Sequence, residues 1–519
     1  MNASSQKSSA FPEAIPTERA GERWSPLAWA SSLRDYLAAR LLAPVDNASV
    51  VVFRVVFGLL MLWEINRYFR YGWIDLLYVD PQFNFTYYGF GWVRPLPGVW
   101  MHGLYYLLAA LAVCITLGLW YRFAMPLFFL CFTYTFLLEK SHFLNHLYLV
   151  CLISFLMIFI PANRALSVDA YRRPSLRSDT LPAWGLVLLA AQIGIAYFYG
   201  GLAKLYLDWL QGDPMRIWMA NETDFPLLGR WFTEEWMVYL VSWSGLVFDL
   251  LVVPALLWPR TRWFAVVALV LFHRFNAGMF SIGIFPMFGT LSVILFLPPS
   301  LPRTIYNKIA GRKPARAKVS QAPATLSAAR AGLLTRFTDR PFVERLTVIL
   351  VLLYLAIQLV VPFRHWLYPG NTAWTDQGDR FAWRMMLVSK VGDISFVVRD
   401  PATGQTWDVD PDDYLIPSQR SDIVSQPDMI LQFSHYLADL WAADGYEDVE
   451  VRAISSVSLN GRDPYPIVDP TVDLAAEELT PFNASWITSI EEMEREGPPP
   501  TWPQREPETG EASTGWRAG

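Results

Sequence analysis

Charge is scarce in this chain. Only 17% of its 519 residues are Asp, Glu, Lys or Arg, against about 25% in an ordinary soluble domain. Cysteine is scarcer still: Cys114, Cys131 and Cys151 all fall in apolar runs, and no CxxC pair occurs. That excludes a disulfide framework and leaves three small hydrophobes in helices. Histidine is also rare. His142 and His146 stand four apart, but no Glu completes an HExxH pattern and no third ligand is evident, so no metal is expected. The first 48 residues lack a basic stretch leading into an apolar one, so they do not read as a signal peptide. The net charge of −5 is small and unevenly placed, and no nucleic-acid partner is expected.

What is abundant is apolar and aromatic sequence: 53% hydrophobic, 15% Phe, Trp and Tyr, with a mean hydropathy of +0.25. A spanning helix needs about 20 mostly apolar residues. Nine stretches qualify, at roughly 49–68, 99–120, 122–138, 143–161, 182–203, 235–257, 261–277, 278–298 and 343–362. The fold class expected is an all-α polytopic membrane bundle of about nine transmembrane helices, followed by a small β-rich extracytoplasmic domain. The domains expected are an N-terminal segment 1–48 with an amphipathic stretch Leu27–Leu42, a membrane domain 49–362, a β-rich domain 363–490 and a disordered tail 491–519. Segment 299–342 carries nine Lys or Arg against one acid, Asp339. Cytoplasmic loops collect such charge. This segment therefore reads as a cytoplasmic linker, which puts the N-terminus inside and the C-terminal domain outside.

After Pro362 the pattern changes. Asp393–Arg399 and Gln405–Val409 alternate apolar and polar residues around Pro401-Ala-Thr-Gly404, which predicts a hairpin. Asp428–Ala443 predicts an amphipathic helix. Asp448–Ser458 predicts another strand, with Asn460-Gly461 as its turn.

Ionisable residues inside spans are costly and mark function by default. Arg54, Glu64, His142, His146, Lys204, Asp249 and His273 are such residues. Arg54 and Asp249 read as structural ion pairs, and Lys204 alone reads as either a snorkelling anchor or a working base. With the N-terminus inside, Asn145, His146, Lys204, His273 and Asn276 all come to the outer half of the bundle, on the side of the C-terminal domain.

Several ordered blocks resemble the vitamin K-dependent gamma-glutamyl carboxylase family, whose membrane part is the HTTM domain. They are Val52–Met61, Leu138–Tyr148 with its Asn145-His146 pair, the Ser-Val-Asp loop ending at Asp169, Gln192–Gly212 around Lys204, His273–Phe285, and Trp374–Met386. The resemblance implies oxidation of reduced vitamin K (phylloquinol or menaquinol) by O2, with CO2 or bicarbonate added to glutamate in an exported protein or peptide. It implies Lys204 as the base that deprotonates the quinol and His146 as its helper in the oxygenation step. It also implies Asn145, His273, Asn276 and Tyr197 around the quinol, and Trp374 and Trp383 toward the glutamate. A lysine acting as a base must be uncharged at rest, and dry apolar surroundings disfavour an ammonium. The implied setting is a bacterial inner membrane, with the lipid bilayer and quinol as partners. The family's tyrosine, serine and histidine in the glutamate segment fall at Asp379, Ala382 and Val388. Two alternatives follow: quinol oxygenation coupled to a different acceptor, or a non-catalytic HTTM transporter or quinone-binding protein.

Overall fold

The structure, a computed structural model, describes residues 26–280, 282–311, 337–482, 484–499 and 502. The first 25 residues, most of the basic linker and the end of the Pro- and Glu-rich tail lie outside the described residues. Apolar runs have few side chains to satisfy their backbone, so they satisfy it internally as helices. In chain order these are α1 (Pro26–Leu42), α2 (Ala48–Arg70), α3 (Gly98–Leu117), α4 (Tyr121–Leu138), α5 (Asn145–Phe159), α6 (Val168–Arg172), α7 (Ala183–Ala203), α8 (Leu207–Gln211), α9 (Asp213–Ala220), α10 (Glu235–Leu257), α11 (Arg262–Met279), α12 (Phe285–Ser292) and α13 (Leu301–Ile309).

Among the described residues six helices, not nine, are long and apolar enough to cross a membrane: α2, α3, α4, α7, α10 and the segment Phe342–Leu367. Three expected spans fall short for separate reasons. The one at 143–161 starts late, because Lys140–His142 forms a 3-10 turn and Leu144 is extended, leaving α5 with 15 residues. The one at 261–277 is α11, which carries Arg262, His273, Arg274 and Asn276. The one at 278–298 becomes helical only at Phe285 and tightens to a 3-10 turn after Ser292.

Arg54 is fully buried in α2 and forms no ion pair with a carboxylate. Its guanidinium donates to the carbonyls of Thr116, Ala162, Ala165 and Leu166, at 3.3, 3.1, 3.5 and 2.5 Å. It thus satisfies the irregular backbone at the ends of α3 and α5. Glu64 pairs with Arg67 one turn on, at 2.8 Å.

The C-terminal part holds a three-stranded antiparallel sheet in the order β4-β3-β5, from β3 (Lys390–Arg399), β4 (Thr406–Val409) and β5 (Glu450–Leu459). A three-residue antiparallel pairing earlier in the chain joins β1 (Pro44–Asp46) to β2 (Thr180–Pro182). The β3–β4 turn forms where expected: the Asp400 carboxylate accepts from the Ala402 amide at 2.9 Å, and Gly404 takes φ +75°. Ile394, Phe396 and Val398 pack under Met429, Ile430, Phe433 and Leu437 of the helix Pro427–Ala443. Phe85, from the loop after α2, is buried in the same core.

Two further clamps seat this part on the bundle. Glu139 accepts from Asn84 at 3.0 Å and Gln419 at 2.8 Å, and Lys140 pairs with Asp428. Asp208 of α8 accepts from Asn460 at 2.7 Å and Arg462 at 2.6 Å, so the turn after β5 rests on the segment that follows Lys204.

Candidate functional site

Helix α7 is apolar until it meets Gly200-Gly201, and it ends at Lys204. The glycines decide what lies beside that lysine. A Cβ on Gly201 would lie 2.8 Å from Leu250 Cγ and 2.9 Å from the Leu250 backbone nitrogen, so α10 packs against bare backbone here. That close approach brings Asp249 to the lysine. Lys204 Nζ lies 2.8 Å from Asp249 Oδ2 and 3.0 Å from the Gly200 carbonyl. Lys204 Nζ also lies 5.2 Å from the centre of the Trp209 ring, a distance at which a protonated amine gains from the ring face. Lys204 and Asp249 are each 7% exposed. A lysine–aspartate pair carries no net charge whichever partner holds the proton, which is what allows both to sit out of water.

The pair faces a cavity of about 750 Å³ walled mainly by apolar and aromatic side chains of α7, α10, α11 and α12. Asn145 and His146 at the start of α5, Tyr197, Lys204 and Asn276 all line it. The outer-half residues grouped from the sequence therefore share one cavity, apart from His273. His273 stands behind the wall, its Nε2 2.6 Å from the Tyr197 hydroxyl. Gly283, at φ +57°, carries the loop before α12 past the His146 ring, and a Cβ there would lie 3.3 Å from His146 Nε2. Asn145 Oδ1 is buried without a partner among the described residues, a free acceptor on a mainly apolar wall.

Trp374 and Trp383 line neither this cavity nor the smaller one near Arg380. Trp374 is fully buried in the core of the C-terminal part and donates to the Thr488 carbonyl at 3.1 Å. Trp383 is buried with its ring centre 5.0 Å from that of Tyr148. Its neighbours Arg384, Met385 and Met386 do reach the cavity. His142, four residues before His146, bonds the Tyr68 hydroxyl at 3.0 Å. Among the described residues no group of three His, Cys, Asp or Glu side chains gathers as metal ligands would.

Sequence reasoning missed two residues of this site. Asp249 was read as a structural partner in a pair, not as the lysine's own. A lone acid midway along one apolar helix and a lone lysine at the end of another was the available signal. Arg384 carries no comparable signal beyond its place after Trp383.

The C-terminal part has its own electrostatics. Burial pushes the Asp379 carboxyl up to about 7 against the pull of Arg384, whose Nε is 2.6 Å away. Burial does the same to Asp422, also to about 7. Asp428 goes the other way, because Lys140 and Arg380 outweigh its burial and hold it down at about 2.

Comparison with known families gives two matches. Residues 42–300 match the HTTM domain, and residues 343–493 match the vitamin K-dependent gamma-carboxylase lumenal domain. No solved structure matches the chain.

Proposed function

Because this membrane protein belongs to the vitamin K-dependent gamma-glutamyl carboxylase family, we propose that it is a quinol-dependent carboxylase acting on glutamate in an exported protein or peptide. The observation that carries this reading is the buried Lys204–Asp249 pair on the wall of a large apolar cavity. A cavity of about 750 Å³ falls within the usual range for small-molecule sites. Its apolar lining suits a prenylated ring, and the unpartnered Asn145 Oδ1 suits a quinol hydroxyl. The chemistry a bound quinol supplies is reducing power. Its oxidation by O2 furnishes the base that removes a γ-proton from glutamate, after which CO2 joins the carbon and the quinone leaves as its epoxide.

The chain's own part is proton handling and exclusion of water. With the pair's own proton on Asp249, Lys204 Nζ is uncharged and takes the quinol's hydroxyl proton, and the quinolate left beside it balances the new ammonium, so that no isolated cation is left in the site. His146 and Asn145 orient the ring from the opposite helix, and Tyr197, braced by His273, fixes the far wall. The apolar walls keep water from a strong base. In this reading the N-terminus is cytoplasmic and the cavity and C-terminal part face outward across a cell membrane. The basic segment around 299–342 supports that orientation.

The test is a purified detergent preparation given reduced vitamin K and O2, with and without a Glu peptide and labelled CO2. Epoxide with label in the peptide is expected, and Lys204→Ala abolishes both. No epoxide from the unmodified protein sinks the reading in favour of a non-catalytic quinone-binding or transport role. A second reading is the same quinol chemistry with another acceptor. It is favoured by the burial of Trp374 and Trp383 outside the lining of both cavities, and it predicts epoxide without label.

A further inference from the structure

Two basic side chains among the described residues reach the large cavity, Lys204 and Arg384. The lysine is matched by Asp249 and a carbonyl. The arginine is not matched in the same way. Its Nε lies 2.6 Å from Asp379 Oδ1 without hydrogen-bond geometry, and its two terminal nitrogens, which are not among the atoms closed off from solvent, donate to no described residue. The side chain is only 9% exposed. A guanidinium has five donors in a flat fork. The outer two keep access to solvent and carry no protein partner among the described residues, which leaves them open to an anion.

The backbone around Arg384 is held firmly against the base. Met385 packs on Gly200, one turn before Lys204, where a Cβ would come within 3.2 Å of its Cε. The Tyr206 hydroxyl donates to the Leu387 carbonyl. Phe381, Trp383 and Met386 all take positive φ, at 67°, 59° and 49°, so the segment follows a contorted path that its packing enforces.

We propose that Arg384 binds the carboxylate of the acceptor side chain beside Lys204, so that the protein selects acidic acceptors over their amides. A carboxylate fits the open end of the guanidinium as a two-pronged pair. It also matches the chemistry: when a carbon next to a carboxylate loses a proton, negative charge grows on those oxygens, and a fixed cation there stabilises it. Asp379 is then the internal anion that balances Arg384 between turnovers and competes with the acceptor. This inference rests on the carboxylase reading for its acceptor, but its test does not require turnover.

The experiment measures binding of a fluorescent tetrapeptide with one internal Glu, and of its Gln counterpart, to the full chain in detergent. The unmodified protein is expected to prefer the Glu peptide by at least about 10-fold. In Arg384→Gln the dissociation constant for the Glu peptide rises on the order of 10- to 100-fold, the scale of losing charge-assisted hydrogen bonds. Binding of the Gln peptide changes far less, and Arg384→Lys recovers part of the preference. Asp379→Asn, which removes the competing anion, binds the Glu peptide at least as tightly as the unmodified protein. An unchanged Glu-to-Gln ratio in Arg384→Gln overturns the proposal, as does the absence of any preference in the unmodified protein. If Arg384→Gln does not fold, Asp379→Asn decides: weaker binding of the Glu peptide overturns the proposal, and equal or tighter binding supports it. Selective binding by a protein that oxidises no quinol sinks the carboxylase reading alone. Quinol oxidation without peptide preference sinks this inference alone.

Discussion

The Lys204–Asp249 pair makes a prediction that separates a working lysine from an anchoring one. A lysine snorkelling to the membrane surface keeps its head in water, and losing a nearby acid costs it little. Here the two groups are 2.8 Å apart and each is 7% exposed. Removing one partner from a buried pair leaves an uncompensated charge, which typically costs about 3–5 kcal/mol. Asp249→Asn and Lys204→Met are each expected to destabilise the fold by about that amount. Replacing the pair with apolar groups of similar size removes both desolvation costs at once and is often neutral. The double variant Lys204→Met/Asp249→Leu is therefore expected to melt above either single variant, close to the unmodified protein. Thermal unfolding of the four proteins in one detergent, followed by tryptophan fluorescence, closes the cycle. A double variant whose loss equals the sum of the two singles would refute the reasoning, because the pair would then be uncoupled. So would an Asp249→Asn protein that melts with the unmodified one.

Three further outcomes follow from the same structure. Gly201→Ala forces a methyl within 2.9 Å of the Leu250 backbone nitrogen; it is expected to cost about 1–3 kcal/mol by overpacking and to lower quinol oxidation by displacing Asp249, checked by melting temperature and turnover together. Arg462→Ala removes the 2.6 Å bond to Asp208 and is expected to cost about 1–3 kcal/mol, checked by a lower melting temperature and by faster protease cleavage between bundle and C-terminal part. Asp422 has a folded-state value of about 7 against an ordinary 3.8, so the folded protein holds this proton more tightly than the unfolded chain does. The stability from that proton is full below about pH 4 and lost as pH rises through 7. Asp422→Asn should flatten the fall in melting temperature between pH 4 and 8, and an unaltered profile would exclude the assignment.

The parts of this fold legible in the sequence are those set by local pattern. The hairpin around Pro401–Gly404 needed only alternation and a turn glycine, and the helix ending at Ala443 needed only an apolar stripe. Hydropathy blurs local breaks, so that six helices among the described residues are long and apolar enough to span where nine stretches were expected: the Lys140–His142 turn shortens α5, and polar residues interrupt the apolar run of α11. The site divides the same way. Depth along helices was enough to bring Asn145, His146, Lys204 and Asn276 to one level. It says nothing about helix rotation, which is why His273 lies behind Tyr197 and why Arg54 meets carbonyls where a carboxylate was expected. Rotation and approach are properties of pairs of helices, and a single sequence records them only through residues small enough to permit contact. Gly200 and Gly201 are that record. Two adjacent glycines allow a ring or a helix to come close. The structure fills both places, with Leu250 over one glycine and Met385 over the other. The residue beside each is the one that matters chemically: Asp249 precedes Leu250, and Arg384 precedes Met385. Two adjacent glycines thus bring an acid to the lysine and seat the segment that carries a cation into the same cavity, and a methyl at either position is expected to disturb one partner more than the other.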